Sequence, residues 1–147
     1  MKISTTIALL LFSLQLLGQN LDFKNDFEIV SQAMRDNDIK KISEYAPTGD
    51  YGVIDFISPK SKAERILKKD FEDRLTKLFN EYPLKEFELL EARQTEMNLP
   101  LGVGKYVTKD NKKYYVLMMF AKFDKTYGFL TFHVVDKLPS NLKSLDR

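Results

Sequence analysis

Residues 71–92, FEDRLTKLFNEYPLKEFELLEA, change period at Pro83, and that change decides the fold. Before it, Phe71, Leu75, Leu78 and Phe79 recur at spacings of three and four, which lines one face of a helix. After it, the apolar residues alternate with polar ones, as on a half-buried strand. The proline itself disfavours the α conformation at Tyr82, so the helix is expected to stop there.

Upstream, Ser61-Lys62-Ala63-Glu64 fits a capping box, with the Ser61 hydroxyl accepting from the Glu64 amide and the Glu64 carboxylate reaching back. The helix it would open carries Ala63, Ile66 and Leu67 on the same stripe as Phe71. Val53 to Ile57 is β-branched and aromatic between Gly52 and Ser58-Pro59, and reads as a short strand. Phe23, Phe27, Val30 and Met34 have helical spacing and predict a first helix. Asp36-Asn37-Asp38 interrupts it, with Asp38 placed to cap a second short helix bearing Ile39, Ile42 and Tyr45, ended by Pro47, Thr48 and Gly49.

Downstream, Phe87–Ala92, Leu101–Thr108, Lys113–Lys122 and Gly128–Val135 read as four strands. The polar turns Lys109–Lys112 and Phe123–Thr126 make the last three an antiparallel meander. Alternation in the last strand places His133 with Phe129, Thr131 and Val135, opposite Leu130, Phe132 and Val134. Helices followed by antiparallel strands give an α+β domain, with N-terminal helices packed on a curved, mostly antiparallel sheet.

The chain begins with an address. Lys2 precedes an apolar run from Ile7 to Leu17 that closes on Gly18, the pattern of a secretory signal peptide over residues 1–18. The run falls short of the about 20 residues of a membrane span, so an exported protein without a stable membrane anchor is expected, periplasmic or extracellular. Residues 22–136 then form one domain, and the polar residues 137–147 a frayed tail. With no cysteine, stability must come from burial, to which 11 Phe and 7 Tyr are suited. Lys2 is one of 23 basic residues against 21 acidic ones, so the mature chain is near neutral and offers no electrostatic case for nucleic acid.

Few residues suggest chemistry. His133, the only histidine, is a candidate general base with Asp55 as partner if their strands approach. One His and no Cys leave no zinc set, and Asp36-Asn37-Asp38 lacks the other ligands of a calcium loop, so neither metal nor cofactor is expected. Gly102-x-Gly104 has no third glycine or following helix and reads as strand glycines at a bulge or close approach. Met118-Met119-Phe120, after Leu117, is apolar on both strand faces, as in a central strand covered on both sides.

The element order, with Ala33–Tyr45 as a helix broken before a second helix closed by an aromatic, Ser61–Leu67 with Phe71 downstream, Tyr82-Pro83, Gly102–Tyr106 and Lys112–Val116, resembles the nuclear transport factor 2-like superfamily, the cystatin-like α+β cone, and in particular its small exported bacterial members. The resemblance implies a pocket between the helices and the concave side of the sheet. Some members use it for isomerase or dehydratase chemistry, others for binding or dimerisation. Tyr106, Tyr115, Leu117 and Met119 are the expected pocket walls. Two functions follow: a non-enzymatic binding domain for a small apolar ligand or a peptide, with a homodimer as one form the resemblance allows, or an isomerase- or dehydratase-like enzyme moving a proton through His133 or Asp55.

Overall fold

The computed structural model describes residues 23–47 and 52–146; the expected leader, residues 1–18, lies outside them, as do Thr48 and Gly49. The first helix, α1, covers residues 23–35 and buries Phe23, Phe27, Val30 and Met34, the four residues whose spacing predicts it. Asn37 turns the chain at φ 55°, a left-handed conformation that asparagine tolerates. The Asp38 carboxylate then accepts from the Lys41 amide at 3.0 Å and caps α2, Ile39–Ser43.

The next segment departs from expectation. β1 is Val53–Ile57, but Glu64–Leu67 is a strand, β2, paired antiparallel with it, and the helix α3 starts only at Lys68 and runs to Glu81. Ser61 caps no helix. Its hydroxyl accepts from the Ser58 amide at 3.0 Å and from the Ser58 hydroxyl at 2.8 Å, closing the turn between β1 and β2. The ladder Val53↔Leu67, Ile54↔Ile66 gives the backbone its partners, and strand alternation decides the side chains: Ile66 is buried, whereas Leu67 is 41% exposed. A local capping signal here loses to a long-range pairing. From Lys68 onward the helix is as its period predicts, with Phe71, Leu75, Leu78 and Phe79 buried.

The remaining strands are β3, Leu84–Gln94; β4, Pro100–Thr108; β5, Lys113–Phe123; and β6, Thr126–Val135. The sheet order is β2-β1-β6-β5-β4-β3, antiparallel throughout except for the parallel pair β1–β6. At the β4–β5 turn, the Lys112 ammonium and the Thr108 hydroxyl hold the Asp110 carboxyl down to about 2.

The helices cover one sheet face. On it lie Ile54, Phe56, Ile66, Phe87, Tyr106, Val116, Met118, Phe120, Phe129, Phe132 and Val134, all in one buried cluster with α1, α2 and α3. Gly102 and Gly104 also face the helices, and the Phe27 and Phe87 rings lie directly over them, so these glycines mark close approach.

Two further expectations fail. Met119 pairs with Thr131 but Phe120 pairs with Phe129, so Leu130 is an inserted residue. This bulge reverses the alternation. Phe129 therefore joins Phe132 and Val134 under the helices, while Thr131 and His133 face the other way. The tail is not frayed: Ser140–Leu145 is a 3-10 helix, and Leu138 and Leu142 are buried on the outer sheet face. Its polar composition hides leucines at 138, 142 and 145, which find apolar surface to cover.

Candidate functional site

The parallel pairing of β1 with β6 sets Asp55 beside Thr131 and Ile57 beside His133, all on the face away from the helices. His133 Nε2 is 3.1 Å from Asp55 Oδ2. The two residues thus meet as the sequence expects if their strands approach. Their surroundings are not those of a closed site: the side chains are 21% and 42% exposed, on the outer sheet face.

The expected pocket walls divide between the two faces. Tyr106 is fully buried on the helix side, where its O–H donates to the Tyr82 carbonyl at 2.5 Å, and burial pushes its phenol well above the usual range. Tyr115 is on the outer face beneath Leu138 and Leu142. Leu117 is half-buried beside it, and Met119, two residues along β5, shares that face. No single cavity can be lined by all four. The Tyr82 hydroxyl is buried with no hydrogen-bond partner among the described residues.

Where the resemblance implies a pocket, the space between helices and sheet is filled with rings. Phe27 stacks on Phe120 at 4.2 Å, and Phe120 meets Phe129 at 5.1 Å. Phe129 meets Phe132 and Phe71, each at 5.4 Å. Among the described residues no group of three or more His, Cys, Asp or Glu could hold a metal ion, and no helix is long and apolar enough to cross a membrane.

Concavity survives at the rim of this core. A cavity of about 490 Å³ opens between the start of α1, the segment after α2 and the β5–β6 turn, with Asp26, Tyr45, Lys122, Phe123 and Tyr127 among its walls. The Tyr45 O–H donates to Asp26 Oδ1 at 2.9 Å. Burial, and then the neighbouring Asp26 carboxylate, push that phenol well above its usual range, so it stays a neutral donor. The Tyr45 ring lies parallel to Phe120 at 5.6 Å, and Lys122 Nζ stands 5.9 Å over the Tyr127 ring. The Phe129 amide donates to the Tyr45 carbonyl at 2.7 Å, which fixes the segment after α2 against β6. The wall therefore offers aromatic faces, a carboxylate and an ammonium within one concave surface.

Sequence reasoning treats Tyr45 as an aromatic that closes a helix and passes over Asp26 and Tyr127. Tyr45 and Asp26 are 19 residues apart, and Tyr127 comes from the far hairpin, so no local motif could connect them. The one available signal is that Tyr45 ends a helix with a polar tip that needs a partner when half-buried.

The sequence matches no protein-family model and no curated relative. Among solved structures, it is similar to a DUF4783 family protein from Bacteroides uniformis, at 18% identity over 76% of this chain and 97% of that one, with a TM-score of 0.63. It is also similar to a ketosteroid isomerase-like protein from Erwinia carotovora, at 14% identity over 79% and 94% of the two chains and a TM-score of 0.58. A third is a nuclear transport factor 2-like protein of unknown function from Shewanella oneidensis, at 14% identity over 78% and 96%, with a TM-score of 0.52. At these identities the likeness establishes the fold: the chain has the nuclear transport factor 2-like architecture, α+β with helices on one face of a mostly antiparallel sheet.

Proposed function

We propose that the protein is an exported, non-enzymatic binding domain that takes a small amphipathic ligand in the rim cavity between Asp26, Tyr45 and Tyr127. The observation that carries this reading is the aromatic filling of the interior. Phe27, Phe120, Phe129 and Phe132 occupy the volume in which a pocket enzyme would enclose its substrate and exclude water. What is left for a ligand is the open rim, whose mixture of aromatic surface and a few convergent polar groups suits binding. Export rests on the leader pattern of residues 1–18.

One observation favours the enzyme reading: His133 and Asp55 are paired at 3.1 Å, as a general base and its orienting carboxylate would be. Against it stands the position of both, part-buried and open on the outer sheet face.

The two readings separate in one titration. A set of aromatic and cationic fragments, added to the labelled mature protein, should shift backbone NMR signals at residues 44–47 and 122–128. Tyr127→Ala should weaken the hits at least about tenfold, and His133→Ala should leave them within a factor of about two. Shifts centred on Asp55, Thr131 and His133, together with a turnover that falls about 10²–10⁴-fold in His133→Ala, would instead establish the enzyme.

Export has its own measurement. Mass spectrometry of the protein recovered from the native envelope or medium should find the chain starting near Gln19. An intact Met1 on a cytosolic species would remove the case for export.

A further inference from the structure

The sheet face turned away from the helices carries Val103, Tyr115, Leu117 and Val135 as an apolar strip across β4, β5 and β6. The chain itself covers it. After β6, exposed Asp136 and Lys137 lead to Leu138, which is 6% exposed; Leu142, one helical turn on, is 4% exposed, and Leu145 packs beside them. The segment ends at Asp146. Its Oδ1 accepts from Lys113 Nζ at 2.5 Å and from the Tyr115 hydroxyl, and Lys113 followed by Tyr115 holds its carboxyl below the usual range.

Three observations mark this as an occupied site and not as a seam of the main core. The strip and the leucines form a cluster of their own, apart from the aromatic one. The turn hydrogen bonds of the segment, Leu142 amide to Pro139 carbonyl and Asp146 amide to Lys143 carbonyl, close on the segment itself, so leucine side chains and one carboxylate do the holding. Finally, a cavity of about 430 Å³ remains between the segment and β5, with Lys113, Tyr115, Leu138 and Lys143 among its walls. Among the described residues the segment makes no backbone hydrogen bond to the sheet, and a segment held by side chains alone opens more readily than a paired strand.

We propose that the outer sheet face is a docking site for a short peptide segment that carries leucines about four apart followed by a carboxylate, and that residues 137–146 occupy it in cis until such a partner displaces them. The seated segment defines the partner's chemistry. Two leucines enter the strip of Val103, Leu117 and Val135, and the carboxylate, three or four residues beyond the second, is read by an ammonium and a phenol. A tethered segment presents itself at millimolar effective concentration, so a free peptide competes poorly with it until the tether is weakened. This site is separate from the rim cavity and stands whether or not that cavity binds a ligand.

The test uses the full chain and a fluorescent synthetic peptide of residues 137–147. In Leu138→Ser/Leu142→Ser, whose own segment has lost its anchors, the peptide should bind at least about tenfold more tightly than to the wild type. Adding Lys113→Met should weaken that binding about tenfold, through the lost charge-assisted bond. A folded double variant that ignores the peptide, or one that binds equally well without Lys113, overturns the proposal. So does a wild type whose mass doubles with concentration by exchanging the segment between copies, because the partner is then a second copy. Should the double variant fail to fold, hydrogen exchange of the wild type decides. Amides of residues 142–146 should be protected at least about 100-fold less than those of β5, and equal protection would make the segment part of the core and sink the idea.

Discussion

Phe120→Ala should destabilise the protein by about 3–5 kcal/mol, read as a fall in the urea midpoint at unchanged slope. Phe120 is fully buried in the second half of β5, where Phe27 stacks on it at 4.2 Å, Phe129 meets it edge-on at 5.1 Å and Tyr45 lies parallel at 5.6 Å. Removing the ring leaves a cavity walled by other rings. Those neighbours belong to α1, to the segment after α2 and to β6, which the β5–β6 pairing and the Phe129–Tyr45 hydrogen bond already hold in place, so the cavity has little freedom to collapse. The upper half of the range is therefore expected. Phe120 also supports Tyr45 and lies within 6.2 Å of Tyr127, so fragment binding in the rim cavity should weaken in the same variant. A loss below about 1.5 kcal/mol would mean that the aromatic column does not fill the interior, and the argument against an enclosed catalytic pocket would fall with it.

The parts of this fold that were legible in the sequence are those whose signal is local and repeated. Phe23, Phe27, Val30 and Met34 announce α1, and the alternation after Pro83 announces four strands, because burial of one face forces a period on whichever element carries it. What was not legible depends on partners distant in the chain. Glu64–Leu67 has a helical pattern and a capping box ahead of it, yet it completes a ladder with Val53–Phe56. Leu130 looks like any strand residue, but as a bulge it puts Phe129 and His133, expected on one face, on opposite faces. The candidate site was harder still. His133 and Asp55 were visible as the chemistry-bearing residues of a poor set, and the structure does bring them together. Asp26, Tyr45 and Tyr127 are assembled from three separated segments, and no residue type among them is unusual enough to stand out alone.

Gly104→Ala should cost about 1–3 kcal/mol, against a gain of about 0.5–1 kcal/mol that alanine would bring to an unobstructed strand. A Cβ at Gly104 would stand 2.2 Å from Cζ of Phe87 and 2.6 Å from its Cε2, closer than atoms can approach. Phe87 cannot swing aside at leisure, because its ring is only 3% exposed and its own backbone is paired with Tyr106 in the β3–β4 ladder. Either the ring leaves its rotamer or the two strands separate, and both disturb the same buried face. Gly128 supplies the contrast. There the new Cβ would meet the Phe123 ring at 3.0 Å and the Tyr45 carbonyl oxygen at 3.2 Å, both looser than the 2.2 Å at Gly104, so Gly128→Ala should cost less than Gly104→Ala. The cause can be isolated with a double-mutant cycle. Phe87→Leu removes the obstructing ring edge, so Gly104→Ala measured in that background should lose at least about 1 kcal/mol of its cost. If the cost persists without the ring, the glycine is required by the backbone and not by the phenylalanine, and its role as a seat for Phe87 is refuted.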